Sequence, residues 1–353
     1  IVNISSATLA CGVLAAVALA QEPLTSAPIA WEVEGAYQLL LTAPVVRQAL
    51  DDIKVDDART FEEQRTLTEI PAPLFKEHMR AEYFMKRMRE LGLKDAYLDR
   101  EGNAIGVRKG RGGGPKLVIS AHLDTVFPEG TDVKVKEMDG RYFAPGIGDD
   151  TRGLAELLAV IRALNVNRIR TVGDIVFVGT VGEEELGNLR GAKALFRDHK
   201  DIDGFISLDG EELGRIVNKA TGSHRYEVIF KGPGGHSFLA FGLVPSAIHA
   251  MGRAIAKISD IETPPLPKTT FTVGTVRGGT SVTAIAGEAR MAIDMRSNSM
   301  DELLKLEQKV MALIKEAVAE ENKRWRSEAL AVEIKLIGDR PAGEVPDDAR
   351  IVH

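Results

Sequence analysis

The spacing of apolar positions changes rhythm twice along the chain. From Trp31 to Lys94 they recur three or four apart, as at Leu67, Ile70, Met79, Tyr83, Phe84, Met88 and Leu91. That spacing predicts helices with one buried stripe, and Gly92 stops the run. From Asp95 short β-rich runs take over at Ala104–Val107, Lys116–Ser120, Asp174–Thr180 and Gly204–Leu208. They are separated by glycine turns and by a helical stretch over Arg152–Leu164. Strands alternating with helices predict a layered α/β sheet. Further on, Ser223–Lys231, Thr269–Val276 and Glu288–Arg296 alternate apolar with polar residues, and helices are predicted over Val244–Ile258 and Met300–Lys323. Strand, helix, two strands, helix fits a small sheet covered by two helices. Ala329–Leu336 reads as one more strand, and Gly338–Gly343 as the loop after it.

One segment stands outside this rhythm. Leu9–Ala20 is an apolar run closed by Ala18-Leu19-Ala20, the small-x-small pattern that signal peptidase accepts, and it is too short to span a bilayer. Residues 1–20 are therefore expected to be a signal-peptide remnant, and the mature protein to be secreted or periplasmic with no membrane segment. The 353 residues carry 45 Lys and Arg against 51 Asp and Glu, a net charge of −6, so no basic field is present to attract nucleic acid. The one cysteine, Cys11, excludes disulfide frameworks and Cys-rich zinc modules. A metal would have to sit on histidine and carboxylates.

Residues of that kind cluster at strand ends. The run Leu117–Asp124 delivers His122 and Asp124 one residue apart, on the same face of an extended segment, where an imidazole can ligate a metal and a carboxylate can orient it. Alone, His-x-Asp is a weak signal. Asp149 and Asp150 open the helix at Arg152 and read either as helix caps or as a carboxylate bridging two cations. Glu183, Glu184 and Glu185 follow a buried strand, where three acids repel one another unless cations offset them. Asp209 closes a fourth apolar run, again at a strand's C-terminal end, where α/β sheets place their sites.

The ordered set SAHLDTV, GIGDD-x-x-G, VGEEE-x-G and SLDG, followed by GPGGHS and DMRS, resembles the di-zinc metallopeptidases of clan MH. That family holds peptidase T, glutamate carboxypeptidase, aminoacylase and succinyl-diaminopimelate desuccinylase. TEIPAP at Thr68–Pro73 and GDRPAG resemble its peptidase T-like branch. The resemblance implies an α/β fold with a phosphorylase/hydrolase-like catalytic sheet and helices on both faces, its first part over residues 31–215. An inserted α+β, ferredoxin-like lid over 216–329 would mediate homodimerisation, and 330–353 would begin the return to the catalytic domain.

The resemblance also implies roles. His122, Asp149 and Asp209 would bind one zinc, with Asp149 bridging to a second zinc held also by Glu184. Glu183 would be the general base on the metal-bridging water, and Asp124 would orient His122. The run Glu183–Glu185 leaves a one-residue slip open; two residues after Thr180 favour Glu183 and Glu184, with Glu185 where the branch more often has glycine. His236 would reach into a partner's active site as an oxyanion donor, and Arg296 would hold a substrate carboxylate. Their plainer alternatives are a turn histidine and a paired strand arginine. Thr283 stands where the family commonly carries asparagine. The family's last ligand, a histidine on the second zinc, has no match after GDRPAG, which implies a chain truncated at both ends with an incomplete second shell. The expected activity is zinc-dependent cleavage of peptide-like amides through a metal-bridging hydroxide, as an exopeptidase on short peptides. The alternatives are an N-acyl-amino-acid deacylase and a catalytically incomplete, dimeric binding protein.

Overall fold

The computed structural model describes residues 31–210 and 214–352; the signal-like run Leu9–Ala20 lies outside them. The periodic N-terminal stretch forms four helices, α1 (Trp31–Thr42), α2 (Pro44–Val55), α3 (Asp57–Thr68) and α4 (His78–Glu90). Pro71 and Pro73 fall in the break between α3 and α4, since proline cannot continue a helix. Among the described residues, no helix is long and apolar enough to cross a membrane.

The first sheet is built from β1 (Tyr97–Leu98), β2 (Ala104–Arg108), β3 (Leu117–His122), β6 (Ile175–Thr180) and β7 (Gly204–Ser207), in the order β1-β2-β6-β3-β7. A small exposed hairpin, β4 (Lys136–Met138) and β5 (Arg141–Phe143), leads to α5 (Thr151–Val166); α6 (Arg190–Asp198) joins β6 to β7. β3 runs parallel to β6 and β7, while β2 is antiparallel to β6. Strand alternation then divides the core. Phe177 packs with Phe84, Leu154 and Leu158 of α4 and α5, whereas Val176 and Val178 pack with Leu195 of α6. Helices therefore cover both faces. Burying a side chain such as Phe177 or Leu154 contributes about 1.5–3 kcal/mol each.

The second sheet arises from β9 (Gly222–Lys231), α7 (Ala247–Ser259), β11 (Thr269–Gly278), β13 (Glu288–Ser297), α8 (Met300–Arg324) and β14 (Ala331–Arg340), a βαββαβ order. Its strands lie β11-β13-β9-β14, all antiparallel, with α7 and α8 on one face over Val228, Phe230, Ile293 and Met295. Short pairs flank it: β8 (Lys219–Ala220) with β15 (Gly343–Glu344), and β10 (Gly235–His236) with β12 (Ala284–Ile285). One expectation changes here. Residues 331–340, expected to start the return to the catalytic domain, instead form the edge strand of the lid sheet, because Val332 and Ile334 add to its apolar core while pairing with Phe230 and Val228.

Candidate metal centre

Parallel pairing in register assembles the site. His122 of β3 lies opposite Thr180 of β6, and Ser120 opposite Ser207 of β7, so three strands end at one edge of the sheet. The segments that leave that edge carry His122 and Asp124, Glu183 and Glu184, and Asp209; Asp149 comes from the turn before α5. His122 Nε2 stands 2.6 Å from Asp149 Oδ1. Ligand atoms of His122, Asp149 and Glu184 lie within 4.8 Å of one another, and so do those of His122, Glu183 and Asp209. One imidazole with four converging carboxylates is a donor set suited to two divalent cations of the zinc type. The grouping differs from the expected one: Asp209 gathers with His122 and Glu183 rather than with His122 and Asp149.

Without a cation the cluster holds protons. Burial pushes the Glu184 carboxyl up to about 7, with the charge of Glu183 adding to the effect. Burial raises Glu183 as well. Burial alone would lower His122, but its bonds to Asp124 and Asp149 outweigh that and hold the imidazole well above its ordinary range. The same bond to His122 holds Asp149 below the usual carboxylate range.

Asp124, fully buried, ties the strand ends together. Its Oδ1 and Oδ2 accept the backbone N–H groups of Glu183 and Glu184 at 3.0 and 2.9 Å. His122 Nδ1 is 3.0 Å from the Asp124 carbonyl and 3.6 Å from its Oδ1, so the shorter contact to the ring is through the main chain. Burial works against the Asp124 charge, but His122 and the two N–H donors prevail and lower its pKa.

Two further residues support the site: Asp150, which the sequence marks as a candidate cap, and Arg80, which carries no sequence signal of its own. Asp150 Oδ2 accepts the His122 backbone N–H at 2.7 Å, while Oδ1 accepts Gly153 N–H at 3.2 Å and so caps α5. A Cβ on Gly153 would sit 2.3 Å from Asp150 Oδ1, so the close approach requires glycine. Burial pushes the Asp150 carboxyl well above its usual range. Arg80, wholly buried in α4, donates to the carbonyls of Leu123 at 2.6 Å and Ile70 at 2.8 Å, and its charge faces Asp124 and Asp150. The TEIPAP segment supports the site as well, since Thr68 Oγ1 meets Thr151 Oγ1 at 2.7 Å and braces the start of α5.

The two expected substrate contacts come from the second sheet and its flanking pair, outside the two ligand groups. His236 ends the short strand β10, opposite Ala284, and is exposed beside Phe238, Leu239 and Phe241 of the turn that follows, themselves exposed. Its Nδ1 accepts the Phe238 N–H at 3.3 Å, which leaves Nε2 as the nitrogen that can carry the proton and donate. Arg296, half-exposed, donates to Asp294 Oδ2 at 2.7 Å. A cleft of about 260 Å³, walled by Pro73, Leu74, Thr125 and Phe127, opens beside Glu184.

Residues 218–322 match the peptidase dimerisation domain, and residues 103–254 match peptidase family M28. A peptidase T-like protein of Rhizobium meliloti is 28% identical over 210 residues, 50% of this chain and 51% of that one. The succinyl-diaminopimelate desuccinylase of Corynebacterium glutamicum is 25% identical over 195 residues, 55% of this chain and 52% of that one. The crystal structure of aminopeptidase PepT from Bacillus cereus superposes with a TM-score of 0.64 at 25% identity, covering 84% of this chain and 79% of that one. The curated relatives are thus matched over about a third to a half of their own length.

Proposed function

The chain belongs to the metallopeptidase family of peptidase T and succinyl-diaminopimelate desuccinylase, and on that premise we propose that it hydrolyses peptide-like amide bonds, acting as an exopeptidase on short peptides. The observation that carries this reading is the convergence of His122, Asp149, Glu183, Glu184 and Asp209 at the C-terminal edge of the first sheet.

His122, Asp149, Glu184 and Asp209 would hold two divalent cations, which we take to be zinc. Bound there, such cations supply Lewis-acid polarisation of the scissile carbonyl and acidify water. Glu183 takes up the proton at a carboxylate oxygen and returns it to the leaving nitrogen. Asp124 keeps His122 and the two glutamates in register. Arg296 offers a bidentate fork to a substrate carboxylate. In a homodimer formed through the lid, Nε2 of His236 serves a partner's site as an oxyanion donor. The apolar run at Leu9–Ala20 supports export as the route to its place of work.

The test is zinc stoichiometry on the purified chain, read beside hydrolysis of a panel of tripeptides and N-acyl amino acids. Two zinc ions per chain with tripeptide turnover supports the reading. Turnover of the acylated compounds alone would make it a deacylase. A zinc-loaded chain inert toward the whole panel would leave a binding protein.

A further inference from the structure

GDRPAG, which takes no part in the chemistry so far assigned, ends β14 where the two sheets meet. On the face of the lid sheet turned away from α7 and α8, Arg296, Ser223 and Arg340 stand in one row across β13, β9 and β14. Arg225 and Asp294 form the next row, with Gly338 opposite Arg225. A Cβ on Gly338 would lie 2.9 Å from Arg225 Cδ and 3.1 Å from its Cβ, so glycine leaves room for that arginine.

The polar groups of this corner reach across to the loop after β6. Arg225 donates to Asp294 Oδ1 at 3.0 Å and to the carbonyl of Glu185, a residue held at φ 35° in the left-handed region. The Asp339 N–H donates to Asn188 Oδ1 at 2.9 Å, and the Asp339 carbonyl accepts from Lys193 Nζ. Arg340 Nη1 is 3.3 Å from Glu183 Oε1, and Nη2 donates to the Glu183 carbonyl.

We propose that Arg340 is the positioning residue of Glu183, and that Gly338, Asp339 and Arg340 form with Arg225 a latch through which the lid sheet sets the general base. The inference rests on the reading of Glu183 as that base. One guanidinium that holds both the carboxyl and the carbonyl of a residue restrains its side chain and its backbone together. That restraint matters because a displacement of about 1 Å at a catalytic group costs on the order of 100-fold in rate.

The test compares the zinc-loaded parent chain with Arg340→Ala and Arg340→Lys. Arg340→Ala is expected to lower kcat by about 10–100-fold with little change in KM, at unchanged zinc content. Added guanidinium ion is expected to restore part of that loss, as is Arg340→Lys, an effect that a purely structural role would not produce. In the metal-free protein, hydrogen exchange is expected to quicken in Arg340→Ala across residues 183–188. An unchanged kcat, a change in KM alone, or unchanged exchange over that loop overturns the inference while leaving the proposed function standing. A parent chain that holds two zinc ions and cleaves nothing removes both.

Discussion

The Asp150 carboxylate accepts the backbone N–H of His122 at 2.7 Å, so the residue that caps α5 also fixes the last residue of β3. Helix and strand are joined at the metal centre by one buried side chain. Replacing it with alanine removes a cap worth about 1 kcal/mol and leaves a buried N–H without an acceptor at a cost of about 1–3 kcal/mol. Asp150→Ala is therefore expected to destabilise the metal-free chain by about 2–4 kcal/mol in urea unfolding, with Asp150→Asn intermediate because it keeps one acceptor oxygen but sets its NH₂ against the other N–H. A midpoint equal to the parent's in both variants would refute the linkage.

Asp124 makes a separable contribution. Its two oxygens serve two N–H donors, so asparagine would set an amide NH₂ against one of them. Asp124→Asn is expected to weaken zinc binding or turnover by about 10–100-fold, the usual cost of losing a group that orients metal ligands. Competition with a chromophoric chelator reads the affinity, and tripeptide hydrolysis reads the rate.

The acid–base state of the cluster sets a pH dependence whose sign can be worked out. In the metal-free fold, Glu184 is raised from 4.5 to about 7, and His122 lies well above its ordinary 6.5. Groups with raised folded-state pKa favour the native state while protonated; their contribution is complete below the unfolded value and disappears as pH climbs through the folded one. The metal-free chain is thus expected to lose stability between pH 4.5 and about 7 through Glu184, and further above neutrality through His122. Zinc competes with the same protons, so the thermal shift on adding zinc is expected to grow with pH. Calorimetric scans with and without zinc, on either side of neutrality, check this; a shift that shrinks with rising pH contradicts it.

Much of this architecture was legible in the sequence because it is written in short-range periodicity. β3, β6 and β7 are apolar runs ended by chemistry-bearing residues, and parallel pairing needs only those ends to converge. The lid's βαββαβ order was legible in the same way, except that Ala331–Arg340 carries no local mark of which sheet it joins. That choice depends on pairing with Phe230 and Val228, a hundred residues earlier in the chain. The cap at Asp150 was legible, but its bond to His122 and the role of Arg80 were not, for a related reason. A helix-capping aspartate and a helix arginine look ordinary until the fold buries one under His122 and sets the other behind Asp124. The contact of Arg340 with Glu183 likewise spans two sheets and has no periodic signature.

The three successive acids leave one assignment that a pair of isosteric changes resolves. Glu184 shares a group with His122 and Asp149, and Glu183 shares one with His122 and Asp209, so an oxygen of each carboxylate lies within 4.8 Å of an imidazole nitrogen. They differ in surroundings: Arg340 grips Glu183, while Glu184 borders the cleft beside Thr125 and Phe127. A carboxylate engaged by an arginine through one oxygen keeps the other for a proton, whereas one facing an open cleft is free to ligate. Glu183→Gln is therefore expected to keep two zinc ions per chain and to lose about 100-fold or more in kcat, because an amide cannot take the proton. Glu184→Gln is expected to lose one zinc per chain, since an uncharged amide is a poor ligand. Zinc analysis and tripeptide hydrolysis on the two variants separate these outcomes, and the opposite pattern would exchange the two roles and remove Arg340 from the base to a ligand.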